Sequence, residues 1–168
     1  MIDPAYAQTL ARYNRWQNES LYAAAASLTD AQRRQDRGAF FASIHATLNH
    51  ILFGDAIWMS RFEGLARPEG IFPGTDFCDD WEKLQQQRAD LDGRIVAWAD
   101  GLDIEALAGE LAWVSGLQNA RMSKPKWLAI THFFNHQAHH RGQVHVMLTA
   151  AGVDPGVTDL VFMPAAAE

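Results

Sequence analysis

Cysteine is nearly missing from this chain. A single residue, Cys78, stands among 168, so no intrachain disulfide forms and a reducing compartment is expected. Positive charge is also short: 14 Lys and Arg face 20 Asp and Glu, a net charge of −6. The densest basic group, Arg33, Arg34 and Arg37, is flanked by Asp30 and Asp36. That balance argues against a nucleic-acid partner, because phosphate-backbone binding needs a positive face. No stretch reaches the ~18–20 apolar residues of a membrane span. The start, Met1-Ile2-Asp3-Pro4, has no basic or apolar run of the kind an export signal carries. No Gly-rich phosphate loop and no Ser-His-Asp order is found. What remains is 48% hydrophobic and 20% charged, the composition of a folded protein with one core. The expectation is a single domain over 1–168, cytoplasmic, with a small-molecule partner rather than a membrane or nucleic acid.

Hydrophobic periodicity predicts four long helices. Asp3-Pro4 is an N-cap followed by proline at the first helical position. Tyr6, Leu10, Tyr13, Gln17, Leu21 and Leu28 then recur at helical spacing, which predicts a helix over 4–27. Thr29-Asp30 caps a short turn. A second helix is expected over 41–63, with Ile44, Leu48, Ile51, Trp58 and Phe62 on its apolar stripe. Pro68, Gly70, Pro73 and Gly74 make the following segment a loop. Asp76 can cap a third helix over 77–99. Residues 109–123 carry a hairpin or extended pattern around Gly116. Ser123 and Pro125 announce a fourth helix over 124–151, closed by Gly152. The tail from Val153 to Glu168 is expected to be extended and packed on the helices. The fold class is therefore all-α, a four-helix bundle with a short extended or hairpin segment before the last helix.

The histidines are concentrated. His45 and His50 fall on the second helix; His132, His136, His139, His140 and His145 fall within fourteen residues of the fourth. Histidines four apart on a helix lie one turn apart on one face and can share a metal ion. His132/His136 and His136/His140 both have that spacing. At ~100° per residue, with His132 at zero, Phe133, Val144, Met147 and Leu148 centre near ~110°. His140 then falls near ~80° and His136 near ~40°, so these two point furthest inward. A third ligand must come from a facing helix, and His50 and His45 are both candidates by geometry. Three imidazoles with an open coordination position are the pattern of a catalytic rather than a structural ion. The ligand type suits zinc, nickel, copper and iron alike.

Asp55 falls at the centre of the second helix's apolar stripe. A buried carboxylate needs a paired charge or a metal nearby. It could orient a ligand histidine, accept a proton in catalysis, or form an ion pair with an arginine such as Arg141. Asn14, Gln17 and Asn18 lie on or beside the first helix's apolar stripe, which points to a polar pocket inside the bundle. Cys78 lies beside Asp76, Asp79 and Asp80, which disfavours a thiolate.

The run Asn135-His136-Gln137-Ala138-His139-His140-Arg141-Gly142-Gln143 closely resembles the fourth-helix signature of DinB-like proteins. The likeness extends to Phe40 through His50, to Tyr13 through Asn18, and to Gly152 through Asp159. The His-x-x-His-His-Arg-Gly-Gln run is its most specific part, paired with a helical histidine 86 residues earlier. The resemblance implies an up-down-down-up bundle and a divalent ion, nickel or zinc, held by His50, His136 and His140. His139 and Arg141 match motif positions without being ligands. It also implies a homodimer, and an enzyme that activates a low-molecular-weight thiol, such as bacillithiol or mycothiol, for S-transfer to a small electrophile. The alternatives are a metal-dependent hydrolase and a non-catalytic metal-binding stress-response module.

Overall fold

The computed structural model describes residues 2–116 and 118–165. Leu117, in the expected hairpin, and residues 166–168 of the expected tail lie outside them. Five α-helices and one two-stranded antiparallel sheet make up the order α1 (Pro4–Ala26), α2 (Asp30–Arg34), α3 (Ile44–Phe62), α4 (Trp81–Asp100), β1 (Glu110–Ser115), β2 (Ala120–Pro125) and α5 (Lys126–Ala150). A 3₁₀ turn follows at Leu160–Phe162. The expected second, third and fourth helices are thus α3, α4 and α5. The fold is mostly helical rather than purely so. The hairpin is a regular ladder, with Glu110 opposite Pro125 and Ser115 opposite Ala120.

Local chemistry sets the helix starts. Asp3 accepts from the Tyr6 amide at 2.8 Å, and Pro4 occupies the first turn. Thr29 and Gln32 form a capping box on α2. Two starts differ from the periodicity. α3 begins at Ile44 rather than 41, because Ala42 has a φ of 61° and closes a tight turn on Ala39. That left-handed conformation cannot continue an α-helix, and Ser43 caps the helix instead. α4 begins at Trp81 rather than 77. Its cap is Asp80, accepting from Lys83, not Asp76. The amide of Cys78, one turn too early for the helix, is held by Asn49 Oδ1 of α3 at 2.6 Å. Gly152 ends α5 with a φ of 79°.

Contacts give the helix directions. Arg12 meets Asp100, Asn18 meets Asp92 and Tyr22 stacks on Trp81, so α1 and α4 are antiparallel. His50 meets His140 and Trp58 meets His132, so α3 and α5 are antiparallel. Asn49 with Cys78, Asp55 with Arg88 and Glu63 with Arg94 show α3 running parallel to the segment that leads through α4. Ile44, Leu48, Ile51, Leu84, Ile95, Phe133, Val144 and Leu148 are fully enclosed among the helices. The tail is strapped to α1: Tyr13, Gln17 and Ser20 donate to the carbonyls of Thr158, Val157 and Pro155.

The loop between α3 and α4 wraps Phe53. A Cβ on Gly74, whose φ is +78°, would lie 2.3 Å from that ring. Gly74→Ala combines a disfavoured backbone conformation with overpacking. We expect it to destabilise the fold by about 2 kcal/mol or more, read as a lowered urea midpoint at unchanged m-value.

Candidate metal centre

The antiparallel packing of α3 and α5 brings three histidines to one point. The ligand-capable nitrogens of His50, His136 and His140 all lie within 4.8 Å of one another. His136 and His140 are one turn apart on α5, and His50 faces them from α3. Gly54 makes room for this: a Cβ there would stand 3.1 Å from His136 Cε1. Of the two candidates on the expected second helix, His50 is the one brought to the group. His45 is buried elsewhere, its ring 6.4 Å from that of Trp81.

Hydrogen bonds at the far nitrogens choose the tautomers. His50 Nδ1 lies 2.6 Å from the Pro73 carbonyl. A carbonyl only accepts, so Nδ1 carries the proton and Nε2 presents its lone pair. His140 Nδ1 lies 2.8 Å from Gln143 Oε1, with the same consequence. His50 Nε2 approaches His136 Nε2 to 3.3 Å. That approach calls for a positive partner at His50 Nε2, either a proton on His136 or a cation shared with it. Burial, reinforced by the surrounding histidines, pushes His136 down to about 3. Burial lowers His50 and His140 as well. All three rings are therefore neutral near pH 7, the state a metal ligand needs. This donor set fits a divalent transition ion with room for a further ligand.

The group sits in a cleft of about 710 Å³. Phe41 packs on His50 at 4.1 Å between ring centroids and on His140 at 5.4 Å. Phe72 closes on His50 from the α3–α4 loop. Trp58, and Trp113 and Met122 of the hairpin, complete a largely apolar wall. His132 is outside the three-histidine group and stacks edge-on against Trp58. His139 is exposed and bonded through Gln143.

Asp55 is buried, as its place on the stripe required, but it makes no hydrogen bond to the three histidines among the described residues. Its carboxylate pairs with Arg88 at 2.7 Å. Of the three roles open to Asp55 the structure shows the ion pair, with Arg88; Arg141, the example named for it, donates to Asn14. Arg88 also holds Asp92 at 2.8 Å, and Asn14 and Asn18 donate to Asp92. Asn14 and Asn18 thus serve a buried charge layer and Gln17 the attachment of the tail, rather than a pocket beside the histidines. Burial pushes the Asp55 carboxyl up, against the pull of the adjacent Arg88 guanidinium. Cys78 is buried and free, its thiol pushed up by burial.

Several contributors escaped the sequence reading. Arg88 carried a usable signal, since it shares the helical spacing of Leu84, Leu91 and Ile95. Gln143 lies in the motif, three residues beyond His140. Pro73 carried none, because its role is played by a main-chain oxygen in a loop.

Fold and site define a mostly helical protein with a buried three-histidine group that could hold a metal ion. A sequence model of the DinB family matches residues 1–168. The chain is also similar to Protein DinB of Bacillus subtilis (strain 168), 26% identical over 163 residues that cover 92% of this chain and 91% of that protein. This chain belongs to the DinB family.

Two outcomes test this description. Arg88→Met leaves two buried carboxylates without their cation and is expected to cost roughly 3–5 kcal/mol, measured by denaturant unfolding. Replacing Asp55 and Asp92 by Asn in the same variant should recover part of that loss. The second concerns His45, whose pKa burial lowers below its ordinary 6.5. Its neutral form is preferred in the folded state, so its contribution is complete above pH 6.5. As pH falls below 6.5 the unfolded chain takes up the proton first and stability is lost, by at most about 1.4 kcal/mol per pH unit. His45→Phe should flatten the acid limb of the stability–pH curve by up to one proton's share.

Proposed function

We propose that this protein is a metal-dependent enzyme in which His50, His136 and His140 hold one divalent ion, zinc or nickel, and a low-molecular-weight thiol is activated for transfer to a small electrophile. The observation that carries this reading is the convergence of three neutral imidazoles, two of them locked in the ligating tautomer by Pro73 and Gln143. The helix directions support the up-down-down-up bundle that the family resemblance implies.

When bound, the ion would supply positive charge that favours the ionised form of a thiol, whose own pKa is about 8.5. The chain's residues do the rest. His136 and His140 keep their spacing through one helical turn, and His50 is aimed by the Pro73 carbonyl. Phe41 and Phe72 exclude water on the His50 side. A thiol is favoured over water by what lines the cleft. Among the described residues no Asp or Glu does so, so no carboxylate stands ready to take a proton from an attacking water. A thiol needs only a modest lowering of its pKa to ionise. Asp55, engaged with Arg88, belongs in this reading to the bundle core rather than to the reaction.

Elemental mass spectrometry on tag-free protein should find about one ion per chain, lost in His50→Ala, His136→Ala and His140→Ala. Gln143→Leu, which frees His140 Nδ1, should weaken the ion's affinity roughly 10–100-fold. Turnover of small electrophiles should require an added thiol. Turnover at full rate in the metal-free protein would sink the proposal.

A further inference from the structure

The cleft beside the histidines contains a cation that the three-histidine reading does not use. Arg61, on the last turn of α3, lines the cleft. Its guanidinium lies 4.4 Å from the Trp58 ring centroid and 5.3 Å from that of Trp113. Among the described residues it has neither an ion-pair nor a hydrogen-bond partner. The contrast within the chain is clear: Arg12, Arg34, Arg88 and Arg94 each hold a carboxylate within 3 Å. Stacking occupies the faces of a guanidinium and leaves its N–H edge free, in the fork that matches a carboxylate. Trp58 and Trp113 therefore hold Arg61 at the cleft wall, and no described residue takes up its N–H donors. The other cation lining the cleft, Arg67, is exposed and donates to Gly70, and no acidic side chain among the described residues offsets either one.

Position along α3 gives the length of the occupant. His136 is level with Gly54, and His132 is level with Trp58. Arg61 is seven residues past Gly54, on the order of 10 Å along the helix at 1.5 Å per residue. The surface between is formed by Ile57, Trp58 and His132, and it is mainly apolar.

We infer that Arg61 is the anion-recognising residue of the cleft, and that the small molecule bound there carries a carboxylate on the order of 10 Å from the atom it presents to the histidines, by that helical rise. The wall accepts the intervening apolar body, and Arg61 receives the carboxylate through paired N–H donors. The inference rests on the proposed function for what lies at the histidine end. The anion end stands on Arg61 alone.

The test uses matched probes that separate the two ends. Octanoate and 1-octanol are titrated into the metal-free protein, with tryptophan fluorescence reporting on Trp58 and Trp113. Octanoate should bind about tenfold or more tightly than the alcohol, the worth of a charge-assisted hydrogen bond. Arg61→Met should abolish that preference while leaving octanol binding unchanged, and Arg67→Met should retain it. Equal affinities for the two probes would overturn the inference. So would a preference that survives Arg61→Met or disappears with Arg67→Met. Cobalt-loaded protein with 8-mercaptooctanoate and 8-mercapto-1-octanol then reads the histidine end through the cobalt–thiolate absorption band. Absence of that band with both thiols would defeat the proposed function and leave the octanoate result to decide on Arg61.

Discussion

Four long helices meet at one buried layer of charge. Arg88 of α4 binds Asp55 of α3 and Asp92 on its own helix, and Asn14 and Asn18 of α1 complete the shell around Asp92. Arg141 of α5 reaches the same place through Asn14. Two carboxylates and two guanidiniums balance in formal charge. Such a layer contributes little net stability, because removing ions from water costs about as much as their pairing returns. It contributes register. A slide of one turn by any helix would strand a charge in an apolar core, so competing arrangements of the same apolar stripes are penalised far more than the correct one.

The histidine group inherits that register. Gly54 and Asp55 are adjacent on α3, so their directions differ by about 100°. With Asp55 committed to α4, Gly54 is turned toward α5, and His136 settles where a larger residue would collide. His50 lies one turn earlier on the Gly54 side and faces His136 and His140. A polar interaction on one side of the helix thus sets the geometry of a different site on the other side.

Much of this was legible from residue spacing, and the failures are physical. Apolar repeats located all four long helices, and the inward pair His136 and His140 followed from the wheel. His50 could not be separated from His45 that way, since both lie off the centre of their stripe; the family resemblance pointed to His50, and packing against α5 is the physical difference between them. The helix starts at 44 and 81 depended on a positive φ at Ala42 and on a hydrogen bond that the Asn49 side chain accepts from the Cys78 amide, neither of which leaves a periodic trace. Asp55 was recognisable as buried, but its partner was not Arg141. Arg88 and Arg141 both lie among the long helices, and the choice between them rests on which helix Asp55 faces. The cleft wall was illegible because it joins Phe41, Phe72 and Trp113 from three separate segments.

The strap that holds the tail to α1 uses side chains of only one partner. Tyr13, Gln17 and Ser20 each donate to a main-chain oxygen, and every residue type offers that oxygen. The attachment therefore asks for particular side chains on α1 and for none at Val157 and Thr158, whereas Gly156 is constrained, with a φ of +83° and a position where a Cβ would stand 3.1 Å from Ser20 Oγ. Mutation can rewrite the exposed side chains of Val157 and Thr158 without releasing the tail from the helix. The tail is thus pinned at its backbone and at one glycine, with two exposed positions whose side chains the attachment leaves open to change.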